Sequence, residues 1–300
     1  MNTVYRKGAN PKTFLAAYDR TLLQWGVSAE SLYVPTQFGK THVLAAGPAH
    51  GEPLVLFHGF GFSSTMWIEN MKALSDTFRV YAVDFVGDIN KSEMGAPIRN
   101  KQDCAAWFSE LLNGLGLQRA HVGGHSYGGF VALVIASLLP DRVGKLLVLS
   151  PGASLQRQSK RFFMKCLLAG MMPSTKRLEK FMDDMTGKGN TVNRIVKDQF
   201  IAAMQNALPR VKLLASYLKD DELRRITSPV LLLIGDQEIQ YDAKKAVRRA
   251  EKVFPRVEAH IIPQAGHGLP LEKPQTVNRL MISFLRGGSS GKESHVRMLS

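Results

Sequence analysis

Residues 123–129 read GGHSYGG, four glycines around a single serine. The apolar, strand-like stretch Ala120-His121-Val122 precedes it, and the helix-like run FVALVIA follows at once. A chain with this order must turn sharply from a strand into a helix at Ser126. Side chains two positions before and after the serine would strike the neighbouring strand and helix, so Gly124 and Gly128 keep the turn open. The serine takes a strained backbone and lifts its hydroxyl above the sheet edge, where the positive end of the new helix points. The plainer reading is an N-cap serine in a glycine-rich turn. The strand before and the helix after favour an exposed nucleophile.

The rest of the chain supplies a sheet for such a turn to stand on. Pro53-Leu54-Val55-Leu56-Phe57 and residues 145–149 and 229–234 are continuous apolar runs, the pattern of strands buried on both faces. Further strands are predicted at 32–35, 41–46, 79–83, 120–124 and 257–262. Helices are predicted at 10–26, 65–75, 102–115, 126–139, 242–253 and 274–286. Alternating strands and helices predict an α/β fold, a mostly parallel central sheet flanked by helices. Residues 155–225 break the rhythm with a helical pattern that lacks strong strands. The predicted organisation is an N-terminal helical segment (1–29), a core (30–151 and 226–286), a helical cap insertion (152–225) and a disordered tail (287–300).

Apolar residues make up 45% of the chain and charged residues 21%, ordinary values for a globular protein. No run of 18 or more apolar residues suggests a membrane span. Two cysteines, Cys104 and Cys166, do not make a disulfide framework, so a reducing cytoplasm is the expected setting. The net charge of +14 raises the question of an acidic partner. Residues 152–228 hold 15 Lys/Arg and 7 Asp/Glu, but these are spread among Met, Leu and Phe at helical intervals. No nucleic-acid-binding motif accompanies them, so no nucleic-acid partner is expected. A solvated basic face is the simple reading, with contact to a membrane surface through the basic cap as the alternative. Nothing in the pattern sets an oligomeric state.

A hydroxyl needs a base, an acid to orient that base, and donors for the developing oxyanion. With its Gly124-His125-Ser126-Tyr127-Gly128 elbow, the chain resembles the alpha/beta-hydrolase superfamily over residues 30–286. The resemblance implies the chain order nucleophile, acid, histidine. His267, between Gly266 and Gly268 after the last long strand, matches the family's base. The strand at 230–234 runs into Gly235-Asp236-Gln237-Glu238, and the family's acid slot, three residues after the glycine, holds Glu238. Asp236 is the alternative acid, or else a brace that bonds backbone amides. His58-Gly59-Phe60 matches the family's His-Gly-x loop, which implies an oxyanion hole made by the backbone N–H groups of Phe60 and Tyr127. Residues 84–92 resemble the family's D-x-x-G-x-G-x-S turn and read as scaffold. His121 and His125 are four apart but not on a helix, so no metal pair is expected.

A cap over the elbow should enclose an apolar pocket. Met is common in the cap, and Phe162, Phe163, Met171 and Met172, with His58, are the predicted pocket residues. The resemblance implies a serine hydrolase that cleaves carboxylic esters of small to medium apolar acyl groups through an acyl-enzyme, with no metal or organic cofactor. The substrate partner is a small-molecule ester. Serine rather than aspartate at the elbow argues against dehalogenase and epoxide hydrolase chemistry. Alternatives are a slow-turnover sensor on the same fold, or a carbon–carbon bond hydrolase, perhydrolase or lactonase.

Overall fold

The continuous apolar runs become the middle of a sheet that no water reaches. The computed structural model describes residues 4–287 and 297–298. Its strands are β1 (Glu30–Thr36), β2 (Gly39–Ala46), β3 (Pro53–Phe57), β4 (Arg79–Val83), the short β5 (Glu93–Met94), β6 (Ala120–His125), β7 (Val143–Leu149), β8 (Val230–Gly235), β9 (Val257–Ile262) and β10 (Arg297–Met298). The sheet order is β1-β2-β4-β3-β6-β7-β8-β9-β10, with β5 beside β2. From β4 through β9 neighbouring strands are parallel, while β1 and β2 form an antiparallel hairpin at one edge. Of the tail predicted to be disordered, Arg297–Met298 pair with β9; 288–296 and 299–300 lie outside the described residues.

Helices cover both faces, as a parallel sheet requires. They are α1 (Pro11–Leu22), α2 (Ile68–Ser75), α3 (Lys101–Gly114), α4 (Tyr127–Leu138), α5 (Lys160–Met171), α6 (Thr175–Met185), α7 (Arg194–Asn206), α8 (Asp220–Arg224), α9 (Ala243–Val253), α10 (Leu269–Glu272) and α11 (Pro274–Leu285). One face of the sheet packs on α3, α4 and α9 through residues such as Trp107, Phe130 and Val247. The other packs on α1, α2 and α11 through Tyr18, Met71 and Met281. Helix α1 begins at Asn10, whose side chain accepts from the Lys12 N–H, with Pro11 at the first helical position. Among the described residues no helix is long and apolar enough to cross a membrane.

Helices α5 to α8 lie between β7 and β8 in the chain. The helical expectation for 155–225 fails over 207–219, which contains no helix. The backbone amides there bond to loops elsewhere: Arg210 N–H to the Gly87 carbonyl at 2.7 Å, Leu213 to Ile98 at 3.1 Å and Leu218 to Ser154 at 3.1 Å. Those partners replace the i−4 carbonyls that a helix would need.

The connection order reverses at β3, which has β4 on one side and β6 on the other. In open α/β sheets a crevice forms outside the strand ends at such a point. Phe57 is register partner to Gly124, so the loops leaving β3 and β6 emerge together. The loop after β4 is fastened below them. Buried Asp84 accepts from the Ser64 N–H at 2.7 Å, the Lys91 N–H at 3.1 Å and the Tyr18 hydroxyl at 3.1 Å, and pairs with His42 Nδ1 at 2.8 Å. Burial opposes ionisation of this carboxylate, but the His42 hydrogen bond and charge outweigh it and hold the group below its ordinary range.

Candidate active site

Ser126 sits at the end of β6 with φ 54° and ψ −115°, a conformation that non-glycine residues rarely adopt. The elbow explains its glycines. A Cβ on Gly124 would lie 2.2 Å from the Gly128 backbone, and one on Gly128 would lie 2.2 Å from the Phe57 carbonyl oxygen. Two backbone bonds fix the turn: the Ser126 N–H donates to the Leu149 carbonyl at 2.9 Å, and the Gly152 N–H to the Ser126 carbonyl at 2.8 Å.

The loop after β8 meets the loop after β9 at Ala265. Gly235 permits the contact, since a Cβ there would stand 2.2 Å from the Ala265 oxygen. Asp236 Oδ1 accepts from the Ala265 N–H at 3.2 Å, and the Gln237 N–H donates to the Ala265 carbonyl at 2.9 Å. Asp236 thus bonds a backbone amide, and it is Glu238 rather than the alternative Asp236 that stands against the imidazole. Glu238 reaches the imidazole, with Oε2 2.8 Å from His267 Nδ1, and His267 Nε2 lies 2.8 Å from Ser126 Oγ. Burial opposes the Glu238 charge, but His267 and the Gln240 N–H outweigh it and keep the carboxyl below its ordinary range. An ionised Glu238 can only accept, so His267 Nδ1 donates to it.

The histidine loop is clamped from below. Glu272 Oε1 accepts from the Gly266 N–H at 2.8 Å, while Oε2 accepts from the Gly187 N–H at 2.7 Å and from Asn190 Nδ2 at 2.8 Å. One carboxylate thus joins the His267 loop to the segment after α6. His125 braces it from the elbow: its Nε2 donates to the His267 carbonyl at 2.7 Å. Burial, reinforced by His267, pushes the His125 imidazole down to about 3, so the ring is neutral.

Phe60 and Tyr127 both line the cavity with Ser126. Tyr127 opens α4, and the leading amides of a helix have no acceptor within it. The Phe60 loop is held by Asp88, whose carboxylate accepts from the Gly61 N–H at 3.0 Å and the Ile89 N–H at 2.8 Å. Burial pushes the Asp88 carboxyl up to about 6.

The cavity has a volume of ≈ 410 Å³. Phe162 and Phe163 belong to its lining. Three predicted pocket residues do not. His58 is buried between loops, its Nε2 accepting from the Phe85 N–H at 3.0 Å and its Nδ1 2.9 Å from the Gly59 carbonyl. Met171 and Met172 face outward, 68% and 51% exposed, because helical phase turns Phe162, Cys166 and Ala169 inward instead. The methionines that do line the cavity include Met182, Met185 and Met204.

Gln240 had no signal in the sequence beyond standing two residues after Glu238. Its side-chain Nε2 lies 2.8 Å from His267 Nε2 and 3.5 Å from Ser126 Oγ, and its backbone N–H donates to Glu238 Oε1 at 2.9 Å. Its carbonyl accepts from the Ser159 N–H at 2.7 Å, at the start of α5. One residue thus touches His267, Glu238 and Ser126 and ties them to the helices above. Among the described residues no group of three His, Cys, Asp or Glu side chains could hold a metal ion.

A serine hydroxyl, an imidazole and a buried carboxylate in hydrogen-bonded series, on an elbow at the switch point of a parallel sheet, define a class. Residues 54–280 match the alpha/beta hydrolase family, and the chain belongs to it. It is similar to the carboxylesterase YbfK of Bacillus subtilis (strain 168), with 35% identity over 287 residues, 92% of this chain and 94% of that protein. The crystal structure of that carboxylesterase, CesB (YbfK), superposes with a TM-score of 0.87 at 34% identity, covering 93% of this chain and 99% of the other. The crystal structure of naproxen esterase (carboxylesterase NP) from Bacillus subtilis gives 0.85 at 34% identity, covering 91% and 97%.

Proposed function

We propose that the protein hydrolyses carboxylic esters with Ser126 as nucleophile, His267 as base and Glu238 as the acid that orients it. The observation that carries this is the continuous pair of 2.8 Å contacts from Ser126 Oγ through the imidazole to Glu238. His267 Nε2 takes the serine proton as Oγ attacks the ester carbonyl. Glu238 holds the imidazole in the productive tautomer and stabilises its charged form. The Phe60 and Tyr127 amides receive the oxyanion, a contribution of about 3 kcal/mol for one such donor. His267 returns the proton to the leaving alkoxide, and water cleaves the acyl-enzyme by the same path reversed.

An apolar acyl group of small to medium size suits the cavity, whose wall includes Phe162, Phe181, Phe200 and Met204. Burial pushes the Cys166 thiol in that wall up to about 12, so it is neutral and acts as a small apolar surface. The relatives' names support ester cleavage; the sensor, carbon–carbon bond hydrolase, perhydrolase and lactonase alternatives have no observation of their own. Fluorophosphonate labelling of wild type and Ser126→Ala tests the assignment, with turnover of nitrophenyl esters alongside. Labelling is expected to vanish in the variant, with ester turnover. Labelling that persists there means a different nucleophile.

A further inference from the structure

Helix α5 is apolar on two sides. Phe162, Cys166 and Ala169 face the cavity. Phe163, Met164, Leu167, Leu168 and Met171 form a second stripe, at helical spacing, that faces water and is between 41% and 68% exposed. Soluble proteins seldom leave a stripe of this kind uncovered unless something docks on it. It is continuous with the mouth of the cavity. Phe163 belongs to both, and the other lining residues Phe60, Leu208 and Leu214 are also exposed large apolar side chains.

Two of the segments that line the mouth carry charges of one sign, while α6 beside them also holds Glu179, Asp183 and Asp184. Residues 152–178 hold six Lys/Arg and no Asp or Glu; residues 199–219 hold Arg210, Lys212 and Lys219 and again no acid. Lys165 pairs with Asp184, on the flank of the helix. Arg157, Lys160, Arg161, Arg210 and Lys212 are exposed, and no ion pair to them occurs among the described residues. An apolar stripe bordered by unpaired cations is the arrangement that seats an amphipathic helix in an anionic lipid interface. A second copy of the chain is a poorer occupant, because it would bring these cations together.

We propose that the α5 face docks on anionic lipid surfaces and sets the cavity mouth against the acyl layer, so that the substrates are apolar acyl esters that partition into such a surface. The substrate part rests on the reading of Ser126 as esterase nucleophile; the docking part does not. Arg157, Lys160, Arg161, Arg210 and Lys212 supply the long-range attraction, and the apolar stripe supplies the insertion. Ester then passes from lipid to Ser126 past Phe60 and Leu214 without crossing bulk water.

The test is co-sedimentation of the full chain with phosphatidylcholine vesicles and with mixed phosphatidylcholine–phosphatidylglycerol vesicles. Wild type and Ser126→Ala should both sediment with the mixed vesicles and weakly with the neutral ones. The double variant Leu167→Glu, Leu168→Glu lies outside the cavity lining. It should lose about tenfold or more of the binding while keeping turnover of a soluble acetate ester and the wild-type circular dichroism. Lys160→Glu with Arg161→Glu should lose binding in the same direction. Equal binding of wild type and variants to the mixed vesicles overturns the proposal, as does no binding at all. A concentration-dependent dimer that Leu167→Glu dissolves would assign the face to a second copy and also overturn it. Vesicle binding without soluble-ester turnover would leave docking standing and refute the esterase reading.

Discussion

Helices α4 and α5 are each 12 residues long and rich in apolar side chains, and both border the same cavity. In α4 every residue from Tyr127 through Ser137 is buried. In α5 only Phe162 and Ala169 are. The difference lies in what surrounds them. Helix α4 is enclosed by the sheet below and by α3 and α8 beside it, so each side chain displaces water onto a protein neighbour. Helix α5 roofs a cavity, with its far side open. Apolar sequence alone therefore does not fix how much burial stabilises a helix; the number of covering layers does.

Glycine substitution should expose this contrast most strongly. Gly128→Ala, with its 2.2 Å approach to the Phe57 oxygen, is expected to cost more than about 4 kcal/mol and to yield little folded, active protein. A folded variant with normal turnover would break the account of the elbow. Next in size is Leu133→Ala in α4, expected to lower unfolding free energy by about 2–5 kcal/mol, against a change within about 0.5 kcal/mol for Leu168→Ala in α5. Denaturant midpoints read both, and equal losses would mean that α5 is covered in solution.

The sheet side also holds a charge that burial disfavours. Because the folded Asp88 carboxyl titrates at about 6, above its ordinary 3.8, ionising it costs the native state more than the unfolded chain. Wild type should lose stability relative to Asp88→Asn as pH rises from about 4 to about 6, by about 2–3 kcal/mol, with no further change above that. Thermal melts across this window check the sign; a gap that widens on acidification refutes it. The smallest effect with a definite sign is a gain. A Cβ on Gly170 in α5 would meet nothing within 4 Å, so Gly170→Ala should stabilise by about 0.5–1 kcal/mol. A loss there would show that α5 packs more tightly than described.

Legibility follows the same division. The elbow could be read directly because its constraint is local: a serine and the glycines that make room for it lie within seven residues. The central strands could be read because burial on both faces leaves an unbroken apolar run. The pairing of Glu238 with His267 needed a family resemblance, since 29 residues separate them and only the fold brings them together. The family's spacing favours Glu238 over Asp236 in the sequence; in space the Ala265 amide holds Asp236 and the imidazole meets Glu238. Met171 and Met172 misled because composition marks a helix as apolar without revealing its phase. Residues 207–219 misled because their amides bond to distant carbonyls, which no local pattern encodes. Gln240 was invisible because an amide side chain on a loop has no chemical signature until its neighbours are known.

The whole roof is threaded between the end of β7 and the start of β8, two strands that already lie side by side, with Leu146 opposite Val230. The polypeptide leaves the sheet and returns to the adjacent track without altering strand order. A segment so inserted can be exchanged for one of different shape while the elbow, the imidazole and their braces stay on unchanged strands. Chimeras made at these two junctions should change the cavity wall while keeping the sheet, with Glu272 and Gln240 among the attachment points that a transplanted roof must satisfy.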